Sequence, residues 1–195
     1  MYAGEQKLIG VVRLPGGERV TVRPAGACDA GRVQDYVRAL SPSARYDRFL
    51  GPVNELSPAE LDRATRGDNR HMTLIAETKI DGVRVAIGEA RYAVAPDGSS
   101  FEIAVSVADG WHGRGLGTRL LHQLECRARS LGLRSLVGDV LHSNTAMKRL
   151  ARKAGFAMTG VPADARLVRI VKDMADTPAV APCAGSATAR LPIAA

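Results

Sequence analysis

Two neighbouring features of this sequence carry groups that could do chemistry. The stretch "VSVADGWHGRGLGTRLLHQLECRA", beginning at Val105, sets Gly113, Gly115 and Gly117 between a β-like run and a helix-like run. Glycine is costly to order, so such density marks a tight turn or a backbone that something must approach closely. A helix starting near Gly115 would offer free N–H groups and the positive end of its dipole, both of which attract phosphate. Just upstream, "FEIAVSVA" alternates strictly. Phe101, Ile103, Val105 and Val107 share one face, and Glu102, Ala104 and Ser106 share the other. Glu102 is thus either a carboxylate placed to take a proton or an outward polar residue of a half-buried strand. Glu77 and Glu89 are reserve carboxylates in the strand runs before it.

The glycine loop admits three phosphate-binding readings. A Walker A loop requires a lysine after its last glycine, and none follows here. A dinucleotide fingerprint fits at Gly113 and Gly115 but has Thr118 where the third glycine belongs; Asp139 stands near the ribose-binding position. A doubly wound sheet also needs more βα units than the chain supplies. The third reading rests on a resemblance, given below. No spacing among His71, His112, His122 and His142 suggests a metal site, so no metal is expected.

The elements that would position these groups are legible from periodicity and punctuation. "ERVTVRPA" reads as a strand, and Asp29 as the N-cap of a helix carrying Val33, Tyr36, Val37 and Leu40. Pro42 imposes a break or a new helical turn, and Ser57-Pro58 opens another helix that stops at Gly67. Asp81-Gly82 joins two strand runs as a hairpin. After the glycine loop, Leu120, Leu121, Leu124, Ala128 and Leu131 form one helical stripe closed by Gly132. A strand "LRSLVGDVL", a helix "NTAMKRLARKAG" and two last strands follow. The order predicts a mixed α/β domain over residues 1–173 with one βαβ crossover at its middle, and a disordered tail over 174–195, whose composition has no periodic apolar face.

Composition bounds the class. A chain of 195 residues with 46% hydrophobic residues has enough material for one core, and scarce aromatics (4%) leave aliphatic side chains to fill it. A formal charge of +7 favours an anionic partner. The arginines are dispersed without aromatic interleaving, which argues against specific nucleic-acid binding. Three cysteines, odd in number and without a C-x-x-C pair, argue against a disulfide framework and are read as reduced thiols. With no secretory signal or membrane-length apolar run in the sequence, a cytoplasmic protein is expected.

"HGRGLGTRLL" closely resembles motif A of the GNAT N-acetyltransferase superfamily, whose pattern is Q/R-x-x-G-x-G/A. "NTAMKRLARKAGF" resembles its motif B. The resemblance spans about Val20 to Asp173 and is specific from Glu102 to Phe156. "LSPSARYDRFLG", "ELSPAELDRATRGDNRHMTLIAE" and "FEIAVSVADGWHGRGLG" further resemble the catalytic domain of Pat-type bacterial protein lysine acetyltransferases. The resemblance implies a GNAT fold: a mostly antiparallel sheet with helices on both faces, whose strands ending near Val107 and Val140 splay apart to admit acetyl-CoA. It implies that the backbone of His112, Gly113, Arg114, Gly115, Leu116, Gly117 and Thr118 holds the pyrophosphate and that Asn144 contacts the pantetheine arm. Arg119, Arg127 and Arg129 could meet the 3′-phosphate, but each is read first as part of a solvated helix face. His112 stands where the motif has Gln or Arg, a change that a cradle of backbone amides tolerates.

The activity so implied is transfer of acetyl from acetyl-CoA to an amine, with a protein lysine as the expected acceptor and a monomer or homodimer as the working form. A lysine ammonium has a pKa of about 10.4 and must lose a proton before it attacks. Glu102 is the expected general base, directly or through water. The amides of Val105 or Val107 are the expected donors to the thioester carbonyl. Many small-amine relatives carry a Tyr on the motif B helix that protonates the departing thiolate; this sequence has Ala151 there. Transfer to a small amine, such as an aminoglycoside, a polyamine or an amino acid, is the alternative acceptor class. A CoA-binding regulatory module without catalysis is the contrasting one.

Overall fold

The computed structural model describes residues 10–68 and 70–174. Among these residues, eight strands form a single sheet: β1 (Gly10–Arg13), β2 (Arg19–Pro24), β3 (His71–Ile80), β4 (Val83–Val94), β5 (Ser100–Val107), β6 (Ser135–Leu141), β7 (Ala157–Gly160) and β8 (Leu167–Asp173). Their order across the sheet is β1-β2-β3-β4-β5-β6-β8-β7. Every pairing is antiparallel except β5 with β6. That parallel pair is the expected crossover, made by helix α4 (Leu116–Ser130). Helices α1 (Ala30–Ala39), α2 (Pro42–Phe49) and α3 (Pro58–Arg66) fill the connection from β2 to β3, and α5 (Thr145–Lys153) that from β6 to β7.

Alternation along the strands splits the apolar residues into two cores. Leu74 and Ala76 of β3 join Phe101 and Ile103 of β5 beneath Leu116, Leu120, Leu121, Leu124 and Ala128 of α4. Ile75, on the other face, packs with Val33, Tyr36 and Val37 of α1, with Ala64 of α3 and with Leu56 of the loop before α3. The rings of Tyr92 and Phe101 stack at 4.1 Å on neighbouring strands. Helices therefore cover both faces, as expected.

Local chemistry explains most boundaries. Asp81 and Gly82 both take positive φ (49° and 81°), the conformation that a two-residue hairpin of right-handed twist requires. Ser57 and Glu60 form a capping box at the start of α3. Asp29 departs from expectation. It holds the N-cap position of α1 but makes no side-chain cap bond there, because its carboxylate accepts from the Arg23 guanidinium at 2.7 and 2.8 Å and from the Gly26 amide at the start of the preceding 3-10 turn. The Arg23 hydrogen bond holds its carboxyl at about 2. Strand β1 was not expected from the sequence; it is a four-residue edge strand whose partner is β2. Met174, placed at the start of the expected tail, is buried in the main core and its amide donates to Arg134 O. The rest of that tail, like residues 1–9, lies outside the described residues. Cys28 is a free, exposed thiol, and Cys126 on α4 is buried. Among the described residues, no helix is long and apolar enough to cross a membrane.

Candidate active site

Strands β5 and β6 pair only at Ser100–Ser135, Phe101–Leu136 and Glu102–Val137, although β5 runs on to Val107 and β6 to Leu141. Beyond that point they diverge and leave one edge of β5 open. The direction of its amides follows from alternation. Ala108 N–H donates to Ile87 O on β4, whereas Ile103 O lies on the β6 side, close to Gly138, and Val107 O is bonded by a loop residue. Even-numbered residues of β5 therefore bond towards β4, and the N–H groups of Val105 and Val107 face the gap.

The glycine loop closes that gap at the sheet's end. Gly113 and Gly115 have φ of 74° and 81°, a region where side chains are strained, and Gly115 is the first half-turn of α4. Gly117 serves differently: a Cβ there would stand 3.2 Å from Leu150 Cδ2, so the glycine permits α4 and α5 to approach. No side chain caps α4. Its first intrahelical bond is from Arg119 N to Gly115 O, which leaves the amides of Leu116, Gly117 and Thr118 without partners in the helix.

A cleft of about 570 Å³ lies between β5, this loop and α5. It is lined by Val105, Val107, His112, Gly113, Gly115, Leu116, Gly117, Thr118 and Asn144, nine of the ten positions expected to hold the cofactor. The tenth, Arg114, turns its guanidinium away, over the Trp111 ring at 4.8 Å and onto Glu18. Asn144 caps α5 by accepting from Met147 N at 2.9 Å, which consumes its carbonyl and leaves its NH₂ group to donate. His112 Nε2 lies 2.8 Å from Val107 O. A carbonyl only accepts, so Nε2 carries the proton and the ring ties the loop to the strand end.

Glu102 lies elsewhere. It is exposed and lines an adjoining hollow of about 260 Å³ on the α1–α3 face, with Arg63, His71, Arg91 and Tyr92. The two cavities meet at Arg48, which lines both. Between them sits Glu89, 1% exposed, held by Arg48 at 2.7 Å and Arg91 at 2.8 Å. Burial pushes its carboxyl up, but the two guanidiniums outweigh burial and leave it below its ordinary value. Glu77 is likewise taken up by Arg23 and Arg32. Both reserve carboxylates are thus occupied by arginines. Of the expected carboxylates, Glu102 alone opens onto a cavity without such a clamp.

The cations that face the cleft come from α5 and α2 and not from α4. None of Arg119, Arg127 and Arg129 lines the cleft, and Arg127 donates to the Tyr92 hydroxyl instead. Arg149 and Lys153 do line it, one turn apart on α5, and Arg48 joins them from α2. The i, i+4 spacing of Arg149 and Lys153 on the helix opened by Asn144 was the available signal. Ala151 belongs to the core, not to the cleft wall, where Met147 and Leu150 stand. No group of His, Cys, Asp or Glu among the described residues could hold a metal ion.

The model of the Acetyltransferase (GNAT) family matches residues 37–156, which contain the gap, the loop and α5. The chain belongs to that family. An acetyltransferase of Pseudomonas aeruginosa is 34% identical over 159 residues, 81% of this chain and 86% of its own length. The GNAT domain of S. lividans PAT superposes with a TM-score of 0.75 at 28% identity, covering 84% of this chain and 96% of that one. A Salmonella typhimurium protein solved with its cofactor acetyl-CoA shares the fold, with a TM-score of 0.62 at 21% identity over 82% of this chain and 96% of its own. This GNAT protein is accordingly an N-acetyltransferase that takes acetyl-CoA as cosubstrate. The uncapped α4 terminus, the open β5 edge and the cations of α5 fit an elongated anionic thioester.

Proposed function

We propose that this GNAT enzyme acetylates protein lysines, with its cofactor in the cleft and its acceptor entering from the Glu102 hollow. The observation that carries the reading is the divergence of β5 from β6 beside an uncapped helix start. The amides of residues 113–118 bind the pyrophosphate, Arg149 and Lys153 add cationic charge, and Asn144 donates to the pantetheine amides. The Val105 and Val107 N–H groups, fixed by the β4 ladder, polarise the thioester carbonyl. Glu102 accepts the ammonium proton through water, since three strand steps of about 3.3 Å each lie between it and Val105. The neutral amine then attacks the carbonyl directly and CoA leaves as its thiol.

The lysine assignment rests on the 28% identity to the S. lividans PAT domain. The working unit is residues 1–173, as monomer or homodimer in the cytoplasm. The test is release of CoA thiol from acetyl-CoA against lysine peptides, lysate protein and a panel of aminoglycosides, polyamines and amino acids. Turnover on protein lysines supports the reading. Turnover confined to a small amine replaces it with the alternative acceptor class.

A further inference from the structure

The departing thiolate needs a proton; on α5, Met147 and Leu150 are apolar, Ala151 is inside the core, and Arg149 and Lys153 are the cations assigned above to the cofactor. A hydroxyl does reach the cleft from the strand. Ser106 lies between Val105 and Val107, lines the cleft, and has its Oγ 2.9 Å from the Tyr36 hydroxyl. Tyr36 is buried in α1, 4% exposed, and Ser106 Oγ is the one partner of its hydroxyl among the described residues. A buried phenol with a single partner that can accept will donate to it. Burial, and then the neighbouring Glu89 charge, raise the pKa of Tyr36, which keeps that proton on the phenol. With one lone pair of Ser106 Oγ taken by Tyr36, its own O–H is left to point to the cleft.

We infer that Ser106 is a catalytic proton shuttle for CoA departure and that Tyr36 is the positioning residue that aims it. The inference rests on the cofactor placement proposed above. In the step, the C–N bond forms as the amine lone pair attacks the thioester carbon, and the C–S bond breaks. The sulfur takes the Ser106 hydroxyl proton while Ser106 Oγ takes the proton that the nitrogen sheds on becoming an amide. Ser106 ends as it began. Glu102 handles only the earlier proton, that of the ammonium, so the two groups act on opposite sides of the attack. A hydroxyl suits the exchange because one oxygen both accepts and donates.

The test measures kcat, KM and calorimetric acetyl-CoA affinity for wild type, Ser106→Ala, Ser106→Thr and Tyr36→Phe. Proton transfer by a positioned group is worth about 10²- to 10⁴-fold. Ser106→Ala is expected to lose kcat near the low end of that range with unchanged affinity for acetyl-CoA. Ser106→Thr, which keeps the hydroxyl, restores most of it. Tyr36→Phe is expected to lower kcat by about tenfold, again without a change in KM for acetyl-CoA, the pattern of a group that acts in the transition state alone. Wild-type kcat in Ser106→Ala overturns the inference while leaving the cofactor placement intact. A loss of affinity that parallels the loss of turnover, or no rescue by Thr, also overturns it, in favour of a packing role. If wild type binds no acetyl-CoA, the placement itself fails.

Discussion

The cleft and the hollow lie side by side along β5, but they are built from different materials. The cleft is mainly backbone: amides at the start of α4, amides on the open edge of β5, and glycines that let them face outward. The hollow is made of side chains brought from α2, α3, β3, β4 and β5, with an ion cluster at its floor whose members Arg48 and Glu89 are 41 positions apart. Backbone can hold a cofactor common to a whole family while the rest of the sequence varies. Side chains set which acceptor fits, and they change with few constraints from the fold.

The largest effect should come from the hollow's floor. Glu89→Gln leaves Arg48 and Arg91 without their buried counter-charge and is expected to cost about 3–5 kcal/mol of stability, read by denaturant unfolding. The pH dependence has a definite sign. The folded-state pKa of Glu89 is depressed, so its contribution is present above the ordinary carboxylate value and is lost as pH falls through the lower folded value. Wild type should therefore lose more stability than Glu89→Gln on acidification. Equal acid sensitivity in the two would show that the cluster does not support the hollow.

Gly117→Leu strikes the cleft alone. Its side chain would enter the space of Leu150, and overpacking of about 1–3 kcal/mol should weaken acetyl-CoA binding about 10- to 100-fold by calorimetry. The comparison sharpens if KM for the acceptor, measured at saturating acetyl-CoA, stays unchanged. Lys153→Ala should have a smaller effect, a loss of affinity of about 2- to 5-fold that disappears in high salt, because the ammonium is exposed. Arg114→Ala should have the smallest. Its guanidinium faces Trp111 and Glu18, so acetyl-CoA affinity should stay within about twofold, with surface mutations typically costing about 0.5 kcal/mol or less.

What the sequence revealed follows the same division. Gly113, Gly115 and Gly117 could be recognised because each is forced by conformation or close approach. Asn144 announced itself by opening a helix, and the β5 alternation placed Glu102 and Ser106 on one face. The strand β1 escaped because a four-residue edge strand has too short a period to register. Asp29 looked like a cap because the residue type suits one; only the fold shows that Arg23 claims it first. The arginines were hardest to place. Which long cationic side chain reaches a cavity depends on helix rotation, and it is Arg149 and Lys153 that line the cleft. Half of the clamp on Glu89 is local, since Arg91 lies two residues on along the same face of β4, but Arg48 reaches it from α2, 41 positions away, which no local pattern sets.

The central claim is that one strand serves two sites, with the cofactor held by backbone at one end of β5 and the acceptor activated by Glu102 at the other. The most direct test compares Glu102→Gln with wild type in paired measurements of acetyl-CoA affinity and turnover. The account predicts affinity within about twofold and turnover reduced about 10²- to 10⁴-fold, the range for a lost general base. Undiminished turnover, or affinity that falls together with turnover, would contradict it.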